Sequence, residues 1–143
     1  AGVVKAATKI QSQSTSNPCS IAQWASVEAF NGDQSTVSAM VAEFESRCGY
    51  VMERLRQIPG VTCPTPDGAF YVFPNVSAYY GKTLKGRTIT DSLSMADYLM
   101  EEAHIAVVPG GAFGEDRCIR LSYALSMEDL KMGFDQMAAA LGA

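Results

Sequence analysis

Apolar positions recur along this chain at two spacings, and each predicts a different element. The longest run at three- and four-residue spacing is Val37, Met40, Val41, Phe44, Cys48, Val51, Leu55 and Ile58, a helix of about six turns that Pro59 and Gly60 stop. Upstream, residues 3–10 read as a short helix. Residues 11–16 are an uncharged polar run whose hydroxyls and amides favour side-chain-to-backbone bonds over a regular helix. Asn17 as N-cap with Pro18 at the first helical position then predicts a second helix, with Ile21, Trp24, Ala25 and Ala29 on one face. The Asn31, Gly32, Asp33 run closes it with a residue able to take positive φ.

Beyond Gly60 the apolar runs shorten. Residues 61–63 and 69–73 are strand candidates separated by Pro64, Pro66 and an Asp67-Gly68 turn, close enough to predict an antiparallel pair. Residues 77–90 read as a loop. The Gly81-Lys82-Thr83 triplet in it is not a phosphate-binding loop, because Val76 stands where that motif needs its first glycine. Ser94 to Asp97 resembles a capping box opening a helix that ends near His104. Residues 105–108 form an apolar strand ended by Pro109, a glycine-rich loop follows, and Ile119, Leu121 and Tyr123 mark another strand. Ser126 opens a last helix lined by Leu130, Phe134, Met137 and Leu141. This order predicts an α/β fold of the α+β two-layer kind, one small mixed sheet with helices over one face.

The chemistry concentrates on that last strand. If Ile119 and Leu121 face the core, strict alternation turns Arg120 to the opposite face, with Cys118 and Ser122. An arginine there is either an open-face charge or an anion site whose planar fork takes a carboxylate through two bonds. Composition narrows the partners. A net charge of −4 with no basic run argues against nucleic acid, and no apolar stretch approaches a membrane span or a signal peptide, which predicts a cytoplasmic location. Cys19, Cys48, Cys63 and Cys118 include no C-x-x-C pair, so no metal site is expected and the thiols read as reduced and mostly buried. His104, the single histidine, reads as a helix C-terminal residue rather than a ligand or base.

Three blocks carry a family resemblance. They are Gln-Ser-Gln-Ser-Thr-Ser-Asn-Pro at residues 11–18, Pro-Asp-Gly-Ala-Phe-Tyr-Val-Phe at residues 66–73, and Val-Val-Pro-Gly-Gly-Ala-Phe-Gly at residues 107–114 leading to Ile-Arg-Leu-Ser-Tyr-Ala at residues 119–124. In order and spacing they resemble the class I aminotransferases that use pyridoxal phosphate, the aspartate aminotransferase branch in particular, and they correspond to the last third or so of such an enzyme. The resemblance implies that Arg120 binds the substrate α-carboxylate, and that Ser16 and Asn17 lie near the active site of the partner subunit in a homodimer. It also implies that Phe70 and Tyr71 line or support the mouth of the substrate site. Residues 1–31 would belong to the large cofactor domain and the segment leading from it. Residues 32–143 would form the small C-terminal domain, including the long bridging helix. The family holds its cofactor covalently through a lysine that follows a serine, and none of Lys5, Lys9, Lys82, Lys85 or Lys131 does so. No catalytic residue is therefore assigned, and this chain alone is expected to have no transaminase activity. The parent would move the amino group of aspartate to 2-oxoglutarate. Two alternatives from the residues themselves are a stand-alone module that binds a carboxylate or amino acid, and a structural interaction domain in which Arg120 pairs with an acid of its own chain.

Overall fold

The computed structural model describes residues 1–142. The chain divides into two units, residues 1–39 and the remainder from Met40 onward.

In the first unit, α1 (Gly2–Ser14) and α2 (Ser20–Asn31) bury no side chain, and Trp24 and Phe30 are 75% and 85% exposed. α1 absorbs most of the polar run that was expected to interrupt it. Its hydroxyls bond back along the helix instead, Ser12 Oγ to the Lys9 carbonyl at 2.9 Å and Ser16 Oγ to the Ser12 carbonyl at 3.3 Å, leaving the backbone ladder intact. α2 starts later than the Asn17-Pro18 pair predicts. Cys19 takes the N-cap position without a side-chain cap bond, and the Pro18 carbonyl accepts from Gln23 Nε2 at 2.8 Å. Gly32 ends α2 at φ −75°, not in the left-handed region. A glycine fits there because a Cβ would run into the carbonyl and carboxylate of Glu28.

α3 (Ser35–Gln57) is the expected long helix, and its later turns carry Val51, Met52 and Leu55 into the core of the second unit. Then follow β1 (Tyr71–Val72), β2 (Thr83–Leu84), β3 (Arg87–Thr88), α4 (Ser92–Ala103), β4 (Val108–Pro109), β5 (Ile119–Ser122) and α5 (Met127–Leu141). The main sheet has the order β1-β5-β4 and is antiparallel at both pairings. The predicted α/β class and small helix-covered sheet hold, with antiparallel rather than mixed pairing among the described residues. Val72, Ile119 and Leu121 meet Met95, Tyr98 and Leu99 of α4 and Leu130, Phe134 and Met137 of α5 in one core. Burying each large apolar side chain contributes about 1.5–3 kcal/mol. The fully buried Tyr98 donates its hydroxyl to the Ala140 carbonyl at 2.6 Å, so α4 and α5 are joined by a bond as well as by packing.

Several local expectations are corrected. Residues 61–63 do not pair with β1. Thr62 forms only an isolated bridge with Asn75, and β1 pairs with β5, because prolines at 64 and 66 lack the N–H that a ladder needs. β4 is shorter and later than residues 105–108 and includes Pro109, which an edge strand tolerates. The predicted loop 77–90 holds a 3₁₀ turn at Ser77–Tyr79 and the β2–β3 hairpin. Lys85 at φ 45° and Gly86 at φ 83° make its turn, the double left-handed geometry that suits the twist of a two-residue hairpin loop. α4 is capped by Asp91, with Ser94 in the reciprocal position rather than as the cap. His104 is the C-cap of α4 in left-handed geometry, at φ 55°. The four cysteines are free thiols, but Cys118 is the one that is buried; Cys48 and Cys63 are half-buried and Cys19 is exposed. Among the described residues no helix is long and apolar enough to cross a membrane.

Candidate functional site

From Ile119 to Ser122, β5 shows the alternation its sequence predicts, whereas Cys118, expected on the open face with Arg120, is buried. Ile119 and Leu121 are buried, Arg120 is half-buried and Ser122 is exposed. Register then fixes what shares the open face. Val108 lies opposite Arg120, and Tyr71 lies opposite Ser122, so Tyr71 stands diagonally beside the guanidinium. The Arg120 Cζ is 5.4 Å from the centre of the Tyr71 ring and 4.8 Å from that of Phe113. Phe73 meets Phe113 edge-on at 6.0 Å, and Phe70 meets Tyr71 edge-on at 5.8 Å. None of the ion pairs among the described residues involves Arg120. The cation is thus framed by aromatic faces, which attract it without neutralising it.

The loop that carries Phe113 is held tightly at both ends. Gly110 donates its N–H to the Cys118 carbonyl at 2.9 Å, and a Cβ at Gly110 would collide with the carbonyls of Cys118 and Glu115. The Gly111 N–H donates to Ser92 Oγ at 3.0 Å, and that hydroxyl donates to Asp116 Oδ1 at 2.6 Å. Tyr80 donates its hydroxyl to the Asp116 carbonyl at 2.6 Å; burial, with the nearby acids, pushes its pKa up to about 12. Past the loop, the Arg117 guanidinium grips Glu115 at 2.6 Å and pulls its carboxyl down to about 2. Burial raises the Cys118 thiol, which keeps it protonated.

The sequence-predicted site residues separate into two groups. Arg120, Tyr71 and Phe70 come together in the second unit. Phe70 also lines a groove of about 560 Å³ with Val41, Phe44, Cys48, Pro66 and Tyr123. Ser16 and Asn17 belong to the first unit, where both are exposed. Ser16 sits at φ 58° just past α1, and the Asn17 N–H donates to the Thr15 carbonyl at 2.7 Å. Phe113, Phe73 and Ser92 were not singled out from the sequence. Phe113 had a visible signal, being the one large side chain in a run of glycines and alanine. The lysines are occupied elsewhere or exposed: Lys82 stands over the Tyr79 ring at 5.0 Å and Lys85 pairs with Glu102 at 3.2 Å. The arrangement can orient a carboxylate, and it offers no lysine set to hold a cofactor.

The profile of the family described as aminotransferase class I and II matches residues 1–136. A probable aspartate/prephenate aminotransferase of Rickettsia prowazekii is 45% identical over 130 residues, which are 90% of this chain and 33% of that protein. The aspartate aminotransferase of Streptomyces avermitilis is 44% identical over 97% of this chain and 34% of its own length. Among solved structures, the aspartate aminotransferase of Rhizobium meliloti superposes with a TM-score of 0.89 at 41% identity, covering 99% of this chain and 36% of that one. That of Thermotoga maritima gives a TM-score of 0.78 at 35% identity, with 99% and 34% covered. The chain thus spans about a third of the length of the curated relatives it matches. With its residues matched almost from end to end, the chain belongs to the aminotransferase class I and II family.

Proposed function

We propose that this chain is the substrate-closing part of a pyridoxal-phosphate-dependent aminotransferase, and that Arg120 binds the α-carboxylate of the amino-acid substrate. One observation carries the reading: a half-buried guanidinium on the open face of a strand, beside a pinned glycine loop, with no carboxylate of the described residues paired to it. A structural role would have called for such an acid, since a charge in a sheet is normally paired when it is withdrawn from water. The fork suits a carboxylate because two parallel N–H donors fix its plane as well as its position. Relatives named aspartate or aspartate/prephenate aminotransferases favour aspartate as the amino donor, and the family resemblance implies 2-oxoglutarate as the acceptor.

Pyridoxal phosphate itself is not matched by the residues present. None of the lysines follows a serine, and Lys82 and Lys85 are engaged at the hairpin. The role of this chain is accordingly confined to gripping and orienting the carboxylate end of the substrate, and the covalent lysine belongs elsewhere in the complete protein. In that protein residues 1–31 would adjoin the cofactor domain and residues 32–143 would form the small domain that closes over substrate. Ser16 and Asn17 would face the partner subunit's site in a homodimer. Free thiols throughout the described residues suit a reducing cytoplasm.

In the full-length protein, Arg120→Ala is expected to lower kcat/KM for every amino-acid substrate by about two to four orders of magnitude, the effect of unpairing a desolvated charge. Arg120→Lys is expected to remain poor, because an ammonium cannot form the bidentate pair. A loss confined to dicarboxylic substrates would place Arg120 at the distal end of the substrate instead. The 143-residue chain alone, supplied with cofactor, aspartate and 2-oxoglutarate, is expected to show no turnover.

A further inference from the structure

A guanidinium on a four-bond stem needs something to hold it before a ligand arrives. An acid would hold it but would also cancel the charge that the ligand must meet. Around Arg120 the neighbours are rings: Phe113 at 4.8 Å and Tyr71 at 5.4 Å from its Cζ. Each is braced edge-on by a second aromatic, Phe73 on Phe113 and Phe70 on Tyr71. Ring faces attract the cation yet accept none of its in-plane N–H donors, so the fork stays available. Phe113 is fixed from behind by the bond from the Gly111 N–H to Ser92 Oγ and by the crowding at Gly110. Tyr71 is fixed by its register opposite Ser122.

We propose that Phe113 and Tyr71 are positioning residues for carboxylate recognition, holding the Arg120 guanidinium in its binding orientation without neutralising it. This rests on the reading that Arg120 binds the substrate carboxylate. Because the preset fork serves a group common to all substrates, losing a ring weakens all of them equally. It does so in the ground state and the transition state alike, so the effect falls on KM.

The test uses the full-length protein with succinate as a non-reacting carboxylate probe. Phe113→Leu, which keeps the bulk and loses the ring face, is expected to raise the succinate Kd and the KM of every substrate about three- to tenfold, with the loss confined to KM. Phe113→Tyr restores both values. Tyr71→Leu repeats the change on a smaller scale, since its ring lies farther away. If Arg120→Ala is damaging while both leucine variants leave KM and Kd unmoved, the aromatic positioning is wrong and the carboxylate reading stands. If Arg120→Ala is itself silent, the carboxylate reading is what has failed, and the positioning falls with it. A KM change for aspartate that is absent for an apolar amino acid puts Phe113 in a side-chain pocket and overturns the proposal, as does failure of Phe113→Tyr to restore binding.

Discussion

The two faces of β5 are made from adjacent residues of one strand and answer to different demands. On the core face Ile119 and Leu121 are buried among α4, α5 and Val72, and everything they need lies within the chain. On the open face Arg120 stands against the Tyr71 and Phe113 rings with no acid paired to it, while Ser122 donates its hydroxyl to the Phe70 carbonyl and accepts from the Ala124 N–H. The strand's geometry separates the two with a single peptide between them. Under the role proposed for Arg120, stability and recognition can therefore be perturbed independently at neighbouring positions, which is rare in a close-packed interior.

The sharpest way to break this comparison is to substitute both faces and measure urea unfolding. Ile119→Ala is expected to cost about 2–5 kcal/mol, from lost transfer energy and the cavity left behind. Arg120→Ala is expected to cost under about 1 kcal/mol, since it removes only partly exposed cation–ring contacts. Equal losses would mean that the open face is scaffold. Next in size is Ser92→Ala. Ser92 is 1% exposed, and removing its hydroxyl strands the Gly111 N–H and leaves Asp116 Oδ1 only the Ser92 N–H at 3.2 Å, which is expected to cost about 1–3 kcal/mol. A loss well below that range would show that the loop beside Arg120 is held by something other than this hydroxyl.

A smaller change than Ser92→Ala is Asp91→Ala at the start of α4, expected to cost about 0.5–2 kcal/mol at neutral pH through loss of the cap. The Ser94 backbone N–H, donating at 2.7 Å, holds the Asp91 carboxyl below its ordinary value. A depressed carboxyl contributes stability that is fully present above its unfolded pKa and is lost as pH falls through the folded one. The gap between wild type and Asp91→Ala is therefore expected to be full at pH 7 and to close as the solution is acidified below about pH 4. Thermal melts at pH 7 and at pH 3 give the comparison, and a gap of unchanged size at both would rule out the carboxylate as the cause.

Much of this was legible before any coordinates. The three-and-four spacing from Val37 to Ile58 is unambiguous because a long helix with one buried stripe has no competing pattern. The alternation around Arg120 was equally readable, since burial on one face dictates what the other receives. What could not be read was pairing across sequence distance. Residues 61–63 and β1 looked like partners because they are close in the chain, yet β1 found β5, some fifty positions away, once the prolines had cut the local ladder. Helix starts were misplaced where two polar residues competed for one cap, Asp91 against Ser94 and Cys19 against Asn17. At the site, Arg120 was visible as a charge in an apolar strand. Its ring contacts depend on register and on the path of the glycine loop, which composition does not encode. The apolar residues of α1 and α2, which pattern alone assigns to a core, find none within the described residues.

Ser92 deserves its place among the buried residues for a reason of mechanics. One hydroxyl stitches the first turn of α4 to the loop bearing Phe113, so the two pieces are fastened to each other through a single oxygen. Amide exchange at Gly111, whose N–H that oxygen holds, thereby becomes a direct gauge of whether the stitch is closed.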